Sequence, residues 1–389
     1  MELTRKQEEG LRIAVERYHN HEPYTVIAGY AGTGKSTLIK FIIEALDLLP
    51  EQVAYISYTG KAAQVLRNKG CPNAMTAHRL LYHSKQKPDG TYFHIPKDSI
   101  GDYRLVVVDE VSMLPNDMWR LLLGHRRYVI ACGDPGQLPP VSEEEAPSVL
   151  DNPHIFLDEI MRQAKDSEII QLSADVRDRK PLQVFKGSEV NIVRKRDAID
   201  GMLTWADQII CGKNNTRYQL NSYFRKMKWG EDITDAPVVG DKIICRKNNW
   251  DKINRVGDAL VNGSIGTLDA ITTYNNPWLD KKCIINFLPD KYDERDSDND
   301  IRFRDILIDW KLITTNQFTV TKENFRMFPK WLRPEQFEYG YAITCHKSQG
   351  SEYDKVLVFE EMLKSTDHAR WLYTAITRAA KRLTIVLKD

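Results

Sequence analysis

The sequence predicts an α/β fold in which helices cover parallel sheets, and four local patterns lead to that prediction. Near the N-terminus, apolar strand candidates such as Val53 to Ser57 alternate with amphipathic helices such as Lys61 to Asn68. A glycine-rich loop joins one early strand to a helix, and a later strand ends in two adjacent carboxylates. A second alternation of strands and helices begins near Ile155. We therefore expect two α/β units in this chain.

The glycine-rich loop matches the template G-x-x-x-x-G-K-[ST] in full. It follows the apolar run Tyr24 to Ala28 and precedes a helical pattern that begins at Leu38, which is the context that this template requires. Glycines allow backbone N–H groups to surround phosphates at the positive end of a helix. Lys35 can then reach the β and γ phosphates, and the Ser36 hydroxyl can bind Mg²⁺. The residues predicted to bind the nucleotide here are Gly29, Gly32, Thr33, Gly34, Lys35, Ser36 and Thr37.

A pair of carboxylates indicates that the predicted nucleotide site also hydrolyses its nucleotide. The apolar, β-branched run Leu105 to Val108 is typical of a buried parallel strand, and Asp109 and Glu110 follow it. Open α/β sheets bind their ligands at this end of the strands. Phosphoryl transfer to water needs a metal on the phosphates and a group that positions the water. We expect Asp109 to hold Mg²⁺ and Glu110 to act as the general base.

Three further side chains are candidates for contact with the γ-phosphate. Gln137 lies in a Gly- and Pro-rich loop, residues 133–140, that follows another apolar strand. Arg162 and Arg378 lie in later blocks of the chain, and a phosphate-loop ATPase needs cations on the γ-phosphate in the transition state. A solvated helix face is the alternative interpretation of any single arginine.

Composition indicates the cellular compartment and the solubility of the protein more clearly than its activity. The formal net charge is +1, which neither supports nor excludes nucleic acid, because a groove can be basic while other faces are acidic. The six cysteines lie far apart without a C-x-x-C pair, so we expect a reduced cytoplasmic protein without structural zinc. The N-terminus is not that of a signal peptide, and no apolar run approaches the roughly 20 residues that span a bilayer. We expect a soluble protein.

Two segments interrupt the α/β pattern. Residues 82–97 place Pro-Asp-Gly between two short polar and aromatic arms, which predicts a β-hairpin. From about residue 238 the chain changes to short strands with turns, which predicts a small inserted barrel or sheet. The charged segment 290–300 is interpreted as a solvated hairpin tip. The α/β pattern then returns with a strand predicted from Tyr339 to Thr344.

Taken in order, the motifs resemble those of superfamily 1 helicases, specifically of the RecD-like branch. The matching blocks extend from residue 3 to residue 387, in the order of the family. They are Leu3 to Gln7, the phosphate loop, Tyr58 to Ala63, Thr76 to Leu80, Asp109 to Met113, Gly133 to Pro140, Asp158 to Ala164, Tyr341 to Glu352 and Trp371 to Ala379.

The resemblance implies two RecA-like P-loop NTPase domains, each with an insert. Residues 1–155 would form the first domain, with the hairpin at 82–97 as its insert. Residues 156–237 and 336–389 would form the second domain, with residues 238–335 as an SH3-like β-barrel insert. The block Asn262 to Gly266 looks like the family signature of that barrel.

The resemblance also implies roles for individual residues. Gln7 would contact adenine, Gly350 and Glu352 would lie at the nucleotide with Glu352 near the ribose, and Gln137, Arg162 and Arg378 would sense the γ-phosphate. The residues that would contact DNA are Thr59, Lys61, Thr76, His78, Tyr92, Phe93, Pro139, Asn262, Thr344, His346, Lys347 and Ser348.

By this resemblance the chain is expected to be a DNA helicase that uses ATP with Mg²⁺, moves 5′ to 3′ on single-stranded DNA and works as a monomer. Its expected partners are single strands and single-strand/duplex junctions, together with replication or recombination proteins whose identity the sequence does not give. Its expected location is the cytoplasm of a bacterium or of a phage-infected cell. Polarity rests on the resemblance alone. An RNA helicase of superfamily 1 and an ATPase that remodels nucleoprotein without separating strands remain alternatives. Tyr92 and Phe93 favour unwinding if they form a wedge at the fork, although surface hairpins also cluster aromatic side chains.

Overall fold

The computed structural model describes residues 3–71, 73–86, 92–139, 148–161, 166–273, 282–290, 297–309, 334–363 and 367–388. Helices and strands alternate along the chain. In chain order, the helices are α1 (Arg5–His19), α2 (Lys35–Ala45), α3 (Gly60–Asn68), α4 (Ala77–Leu81), α5 (Asn116–Gly124), α6 (Glu168–Arg177), α7 (Asp200–Trp205), α8 (Asn214–Trp229), α9 (Asp298–Ile301), α10 (Cys345–Ser348) and α11 (His368–Ile376).

The strands form three larger sheets and two separate pairs among the described residues. In chain order, they are β1 (Tyr24–Gly29), β2 (Val53–Ser57), β3 (Ala74–Thr76), β4 (Tyr82–Gln86), β5 (Tyr92–Pro96), β6 (Leu105–Val108), β7 (Tyr128–Gly133), β8 (Ile155–Leu157), β9 (Phe185–Lys186), β10 (Val190–Arg194), β11 (Gln208–Cys211), β12 (Lys242–Cys245), β13 (Asn249–Ile253), β14 (Ala259–Leu260), β15 (Ile265–Thr273), β16 (Lys282–Pro289), β17 (Phe303–Asp309), β18 (Phe337–Tyr339), β19 (Ala342–Thr344), β20 (Tyr353–Phe359) and β21 (Ala379–Leu387).

The first sheet is parallel and carries the strands in the order β3-β2-β6-β7-β1-β8. Its central strands β6 and β7 are buried at every position, because helices cover both faces of a sheet of this kind. Strands β1, β7 and β6 are parallel neighbours, so their carboxyl ends lie at the same edge of the sheet. The phosphate loop after β1 and the carboxylates after β6 both lie at this edge. This sheet ends with β8, which extends two residues past the predicted boundary at residue 155.

The second sheet has the order β19-β11-β20-β21-β10-β9 and is parallel except for the pairing of β9 with β10. Helix α11 packs against α6 and against strands of this sheet, and its central residues are buried. The core of this unit is formed by side chains such as Trp371, Ile385 and Val358. The chain therefore contains two parallel α/β units, as the alternation of strands and helices predicts.

Residues 242–339 add an antiparallel sheet in the order β17-β16-β15-β12-β18, with β13 and β14 as a separate ribbon. Its core is built by Phe287, Phe303 and Phe337 together with aliphatic neighbours. The predicted hairpin is present as the antiparallel pair β4 and β5, with Ser84 opposite His94. The turn residues 87–91 lie outside the described residues.

One predicted strand is wrong in its extent. The run Tyr339 to Thr344 divides between two sheets, because Tyr339 ends β18 in the antiparallel sheet whereas Ala342 begins β19 in the second parallel sheet. Gly340 lies at the change of sheet, where a Cβ atom would come within 3.1 Å of the backbone of Ile243. In the part of the chain that the structure describes, none of the helices is both long and apolar enough to cross a membrane.

Candidate active site and nucleic-acid interface

The phosphate loop is shaped by its glycines. Gly34 has a φ of +79° and starts α2, a left-handed conformation that side-chain-bearing residues rarely adopt. A Cβ atom there would also collide with Gln7 and Met161, which pack against the loop. Met161 donates its backbone N–H to the carbonyl of Gly32 at 3.0 Å. The loop is therefore fixed by Gln7 and Met161 at the N-terminus of α2, which is the end of a helix that attracts anions.

Lys35 folds back into the loop. Its Nζ donates hydrogen bonds to the carbonyl oxygens of Gly29 at 2.6 Å and Tyr30 at 3.0 Å. Ser36, the next residue, is exposed at the first turn of α2. A bound phosphate would offer Lys35 a charge-assisted partner in place of these neutral carbonyls. The side chain is thus kept inside the loop, close to where the template expects it to act.

Asp109 and Glu110 lie at the carboxyl end of β6. The backbone N–H of Asp109 donates to the carbonyl of Ile56 at 2.8 Å, which ties the pair to β2. Glu110 has a φ of +52°, an uncommon conformation for a residue other than glycine and one that recurs at functional sites. Burial raises the pKa of both carboxyls, to about 7 for Glu110, while Lys35 lowers the pKa of Asp109. Two such carboxylates side by side form a site that favours a cation.

The second α/β unit reaches these carboxylates with Arg378. Its Nη1 lies 3.9 Å from Oε1 of Glu110, and its side chain is only 7% exposed. The guanidinium also donates to the carbonyls of Thr374 at 3.1 Å and Ser351 at 3.2 Å. The Glu110 carboxylate accepts a hydrogen bond from the backbone N–H of Gly350. The predicted base and one predicted arginine therefore face each other across the boundary between the two units.

The loop that contains Gln137 is fixed by both units. A turn brings the Gln137 N–H to the carbonyl of Asp134 at 3.2 Å. The next residue, Leu138, donates its N–H to Oγ1 of Thr374 at 2.8 Å. Its carbonyl accepts a hydrogen bond from Nε2 of Gln349, also at 2.8 Å. Gln137 is thereby held at the boundary on which the phosphate loop and Arg378 also lie.

The sequence analysis missed several residues at this boundary. Tyr373 contacts Ala31 in the phosphate loop, Arg177 lies over the ring of Tyr30, and Gln349 contacts the loop of Gln137. The signal that could have found Tyr373 and Gln349 is their position inside the blocks that carry Arg378 and Gly350. Arg177 gives no such signal, because it lies on an ordinary amphipathic helix.

The expected nucleotide contacts of Gln7 and Glu352 remain predictions. Gln7 is fully buried, its Oε1 accepts the N–H of Thr4 at 2.9 Å and its Nε2 donates to the carbonyl of Gly34 at 3.3 Å. It therefore supports the phosphate loop, and contact with adenine requires an exchange of these bonds. Glu352 pairs with Lys69 at 2.7 Å in an exposed ion pair. Arg162 lies outside the described residues.

Several residues that are expected to contact DNA cap helices or are buried in the first unit. Thr59 and Thr76 are the N-caps of α3 and α4, and their hydroxyls accept N–H groups from Ala62 and Arg79 at 3.2 Å each. Lys61 is only 4% exposed, since the insert covers the start of α3, and burial lowers its pKa to about 8. In this arrangement Lys61 does not lie on an open surface. Its contact with DNA stays a prediction that requires the insert to move.

The second unit contributes a buried cluster of charges beside α10. Lys347 forms an ion pair with Glu338, and Glu338 also pairs with Arg217 and, at 3.6 Å, with Arg246. Burial and the two arginines lower the pKa of Lys347 to about 7. His346 is half-buried, and Thr344 and Ser348 are buried. Glu338 is therefore shared by three basic side chains, and contact of this region with DNA stays a prediction.

The remaining candidates lie on or near the hairpin and on the surface loops. Phe93 is 38% exposed on β5, while Pro139 and Asn262 lie on the surface. The side chain of Tyr92 lies outside the described part of the structure. His78 packs at 5.0 Å from the ring of His94 at the base of the hairpin, and burial together with His94 lowers its pKa to about 4. His78 is therefore neutral at physiological pH and suited to stacking.

Comparison with known proteins identifies the family. A family model described as an AAA domain matches residues 2–202, more than half of the 389 residues. The chain belongs to this family. A second model, described as a UvrD-like helicase C-terminal domain, matches residues 339–386 of this AAA-domain protein. The resemblance to superfamily 1 helicases that the ordered motifs indicate is confirmed.

Curated relatives of this AAA-domain protein include two helicases. It is 26% identical to the ATP-dependent RecD2 DNA helicase of Deinococcus radiodurans over 92% of this chain and 46% of RecD2. It is 24% identical to the ATP-dependent DNA helicase dda of Enterobacteria phage T4, over 97% of each chain. It is 27% identical to an uncharacterised protein of Methanocaldococcus jannaschii over 94% of this chain and 36% of that protein. The chain thus spans less than half of the length of two of these relatives.

Solved structures show the fold. The Pif1 helicase from Bacteroides in complex with ADP-AlF3 and single-stranded DNA matches this AAA-domain protein with a TM-score of 0.56 and 18% identity, covering 100% of this chain and 93% of Pif1. The Pif1 helicase from Candida albicans gives a TM-score of 0.52 at 20% identity, covering 100% and 95%. The predicted α/β core of RecA-like type is therefore confirmed. The identities of the hairpin and of the β-rich insert stay predictions.

Proposed function

We propose that the protein is an ATP-dependent DNA helicase that moves 5′ to 3′ along single-stranded DNA. The observation that carries this proposal is the boundary between the two α/β units. The phosphate loop, Glu110 and Gln137 lie on one side of it, and Arg378 approaches from the other. A nucleotide bound there would touch both units, so its hydrolysis can change their relative position. The helicase relatives support the choice of DNA as the track.

Each predicted catalytic residue has a role in this proposal. Lys35 neutralises charge on the β and γ phosphates, and Glu110 accepts a proton from the attacking water. Gln137 positions that water or the γ-phosphate. Arg378 and Arg162 stabilise charge on the γ-phosphate in the transition state. The energy released would be used when the second unit closes onto the first and opens again.

The residues present fit a Mg²⁺ ion that arrives with ATP. Among the described residues, no group of three or more His, Cys, Asp or Glu side chains could hold a metal by itself. Mg²⁺ at nucleotide sites commonly uses only one or two protein ligands, together with phosphate oxygens and water. Ser36 and Asp109 would hold it, because Ser36 follows the loop lysine and the charge of Lys35 acts on the pKa of Asp109, which burial raises. When bound, the ion would neutralise charge on the phosphates.

The two inserts are proposed to act on DNA at the fork. The pair β4 and β5 is a hairpin with exposed Phe93, and this supports a wedge that stacks on a base. The antiparallel sheet of residues 242–339 is proposed to be SH3-like and to contact the strand near Asn262. The DNA strand would run over Thr59 and His78 of the first unit and over His346 and Lys347 of the second. Thr76, Thr344 and Ser348 are buried, so their contact with DNA, like that of Lys61, would require a rearrangement.

Two other activities share the same cleft. A superfamily 1 RNA helicase would use the same hydrolytic residues with RNA as its track. A remodelling ATPase would hydrolyse ATP on nucleic acid without separating strands. The exposed hairpin favours strand separation over the second alternative, since a remodeller has no need of a wedge.

Unwinding assays on tailed duplexes test the proposal. The purified chain is mixed with ATP and with DNA or RNA duplexes that have 5′ or 3′ single-stranded tails. The expected result is strand separation of 5′-tailed DNA only, with ATP hydrolysis that is stimulated by single-stranded DNA and weakened by salt. Lys35→Ala, which changes a loop cation outside the core, is the control and should abolish hydrolysis. Unwinding of 3′-tailed or RNA duplexes would refute the polarity or the substrate, and hydrolysis without unwinding would favour the remodeller.

A further inference from the structure

Tyr373 of α11 connects the second unit to two catalytic loops of the first. Its hydroxyl accepts the backbone N–H of Ala31 at 2.8 Å and donates to Oδ2 of Asp134 at 2.7 Å. Ala31 is part of the phosphate loop, and Asp134 begins the turn that carries Gln137. The Tyr373 side chain is 1% exposed, so both hydrogen bonds are shielded from water. One hydroxyl thus joins three separate segments of the proposed active site.

Asp134 depends on this hydroxyl. The carboxylate is buried, and its other oxygen, Oδ1, accepts the N–H of Gly136 at 2.9 Å. A Cβ atom on Gly136 would lie 3.0 Å from the ring of Tyr373, so the ring also packs directly on the turn. Loss of the hydroxyl would leave a buried carboxylate oxygen and a loop N–H without their partner, which costs more than an ordinary hydrogen bond.

The surroundings keep Tyr373 able to donate and accept at once. Burial, together with the negative charge of Asp134, raises the pKa of the phenol, so it stays protonated throughout the physiological range. Next to it, the guanidinium of Arg177 lies 4.0 Å from the ring centre of Tyr30. Two consecutive residues of the phosphate loop, Tyr30 and Ala31, are therefore contacted by side chains from the second unit. The loop is not a feature of the first unit alone.

We propose that Tyr373 is a positioning residue for ATP hydrolysis, whose hydroxyl sets the phosphate loop and the Gln137 turn relative to each other only when the two units are together. This inference rests on the proposed function and adds a route by which DNA can stimulate hydrolysis. A DNA strand that contacts both units would stabilise their closed arrangement. It would thereby hold Tyr373 in place, and Gln137 would be aligned with the γ-phosphate.

The variant Tyr373→Phe tests the proposal, because it removes one oxygen and keeps the ring. Loss of hydrogen bonds that involve a buried charge predicts a fall in kcat of about 10-fold to 100-fold. The KM for ATP should stay within about twofold, since Lys35 and the loop amides remain. The matched control is Tyr128→Phe, which removes a buried hydroxyl that bonds to Thr25 and Ala14 inside the first unit. The control should keep the parent's kcat.

A double variant separates positioning from general stabilisation. If Tyr373 acts through the Gln137 turn, then Tyr373→Phe should cost little further turnover in a Gln137→Ala background. Stimulation by single-stranded DNA should also fall in Tyr373→Phe but not in Tyr128→Phe. Thermal unfolding of each variant shows that the rates are measured on folded protein.

The outcomes distinguish the inference from the proposed function. Absence of ATP hydrolysis in the parent chain would refute the function itself. A parent that hydrolyses ATP, with a Tyr373→Phe variant that matches it in kcat and in DNA stimulation, would overturn only the role of Tyr373. A lower melting temperature with unchanged kcat, a change confined to KM, or a fully additive loss in the double variant would do the same.

Discussion

Arg378 and Glu110 face each other across the boundary of the two α/β units, with Nη1 of the arginine 3.9 Å from Oε1 of the carboxylate. The separation is longer than a direct hydrogen bond, and both groups have other partners: Ser351 for the arginine and Gly350 for the glutamate. Both groups lie at the boundary that also carries the phosphate loop, where the proposed function places the transfer of the γ-phosphate to water. The arrangement therefore brings a proposed base of one unit close to a proposed cation of the other.

Glu110→Gln is expected to bind ATP yet hydrolyse it at a small fraction of the parent's rate, because an amide cannot accept a proton from water. The substitution keeps the side chain's size and its acceptor for the N–H of Gly350. Nucleotide affinity from fluorescence titration and turnover from phosphate release would be compared. Normal turnover in this variant would mean that the base lies elsewhere.

Arg378→Ala is expected to lower turnover by about 10³-fold or more, with a smaller effect on ATP affinity, as for other arginine fingers. Arg162→Ala should behave alike by the family resemblance. Arg382→Ala is the control, because Arg382 is an exposed arginine four residues further along the chain, in β21. Steady-state kinetics of the three variants provide the measurement. A pure loss of affinity in Arg378→Ala would place its guanidinium outside the transition-state contacts.

The double change of Tyr92 and Phe93 to Ala is expected to reduce duplex unwinding much more than DNA-stimulated ATP hydrolysis. Stacking of one base on an aromatic side chain contributes roughly 1–3 kcal/mol. The hairpin is separate from the boundary that carries Arg378, so hydrolysis should survive. Unwinding per ATP consumed on a 5′-tailed duplex is the quantity to compare. An equal ratio for parent and variant would make the hairpin ordinary surface structure.

Asp241→Ala is expected to destabilise the protein by about 3–5 kcal/mol, since it leaves the buried Arg225 without its charged partner. Asp241 is fully buried and accepts hydrogen bonds from Arg225, Trp229 and the hydroxyl of Tyr341. Urea unfolding would measure the change, with the exposed Asp354→Ala as a control of similar charge. A loss below 1 kcal/mol would show that Arg225 finds another partner.

Local sequence patterns predicted the elements that depend on neighbouring residues. The strand Val53–Ser57 has the predicted bounds, because a buried parallel strand is a continuous apolar run that can be recognised without knowledge of its partners. The turn from Gly29 to Lys35 could also be predicted from neighbouring residues alone, since Gly32 and Gly34 allow the left-handed backbone that this turn needs. Tyr339 to Thr344 shows the limit, because an apolar run does not reveal that the chain changes sheet at Gly340.

The burial of Lys61 shows the same limit for the candidate interface. The family resemblance implies that Lys61 contacts DNA, but Val261 of the insert packs against Gly60 and covers the start of the helix. Nothing in residues 58–63 encodes that contact, since the covering surface comes from a segment about 200 residues away.

The sequence by itself determined the chemistry available to this protein: a phosphate loop, two carboxylates after a buried strand, and arginines in blocks of family order. Tertiary structure alone decided which of these groups meet. Tyr373 lies 342 residues from Ala31 and 239 residues from Asp134, yet one hydroxyl bonds to both. The physical reason is that backbone conformation and the apolar pattern of a strand or helix depend on residues that are neighbours in sequence. A contact between two packed units depends on how their surfaces fit, and sequence spacing contains no measure of that fit.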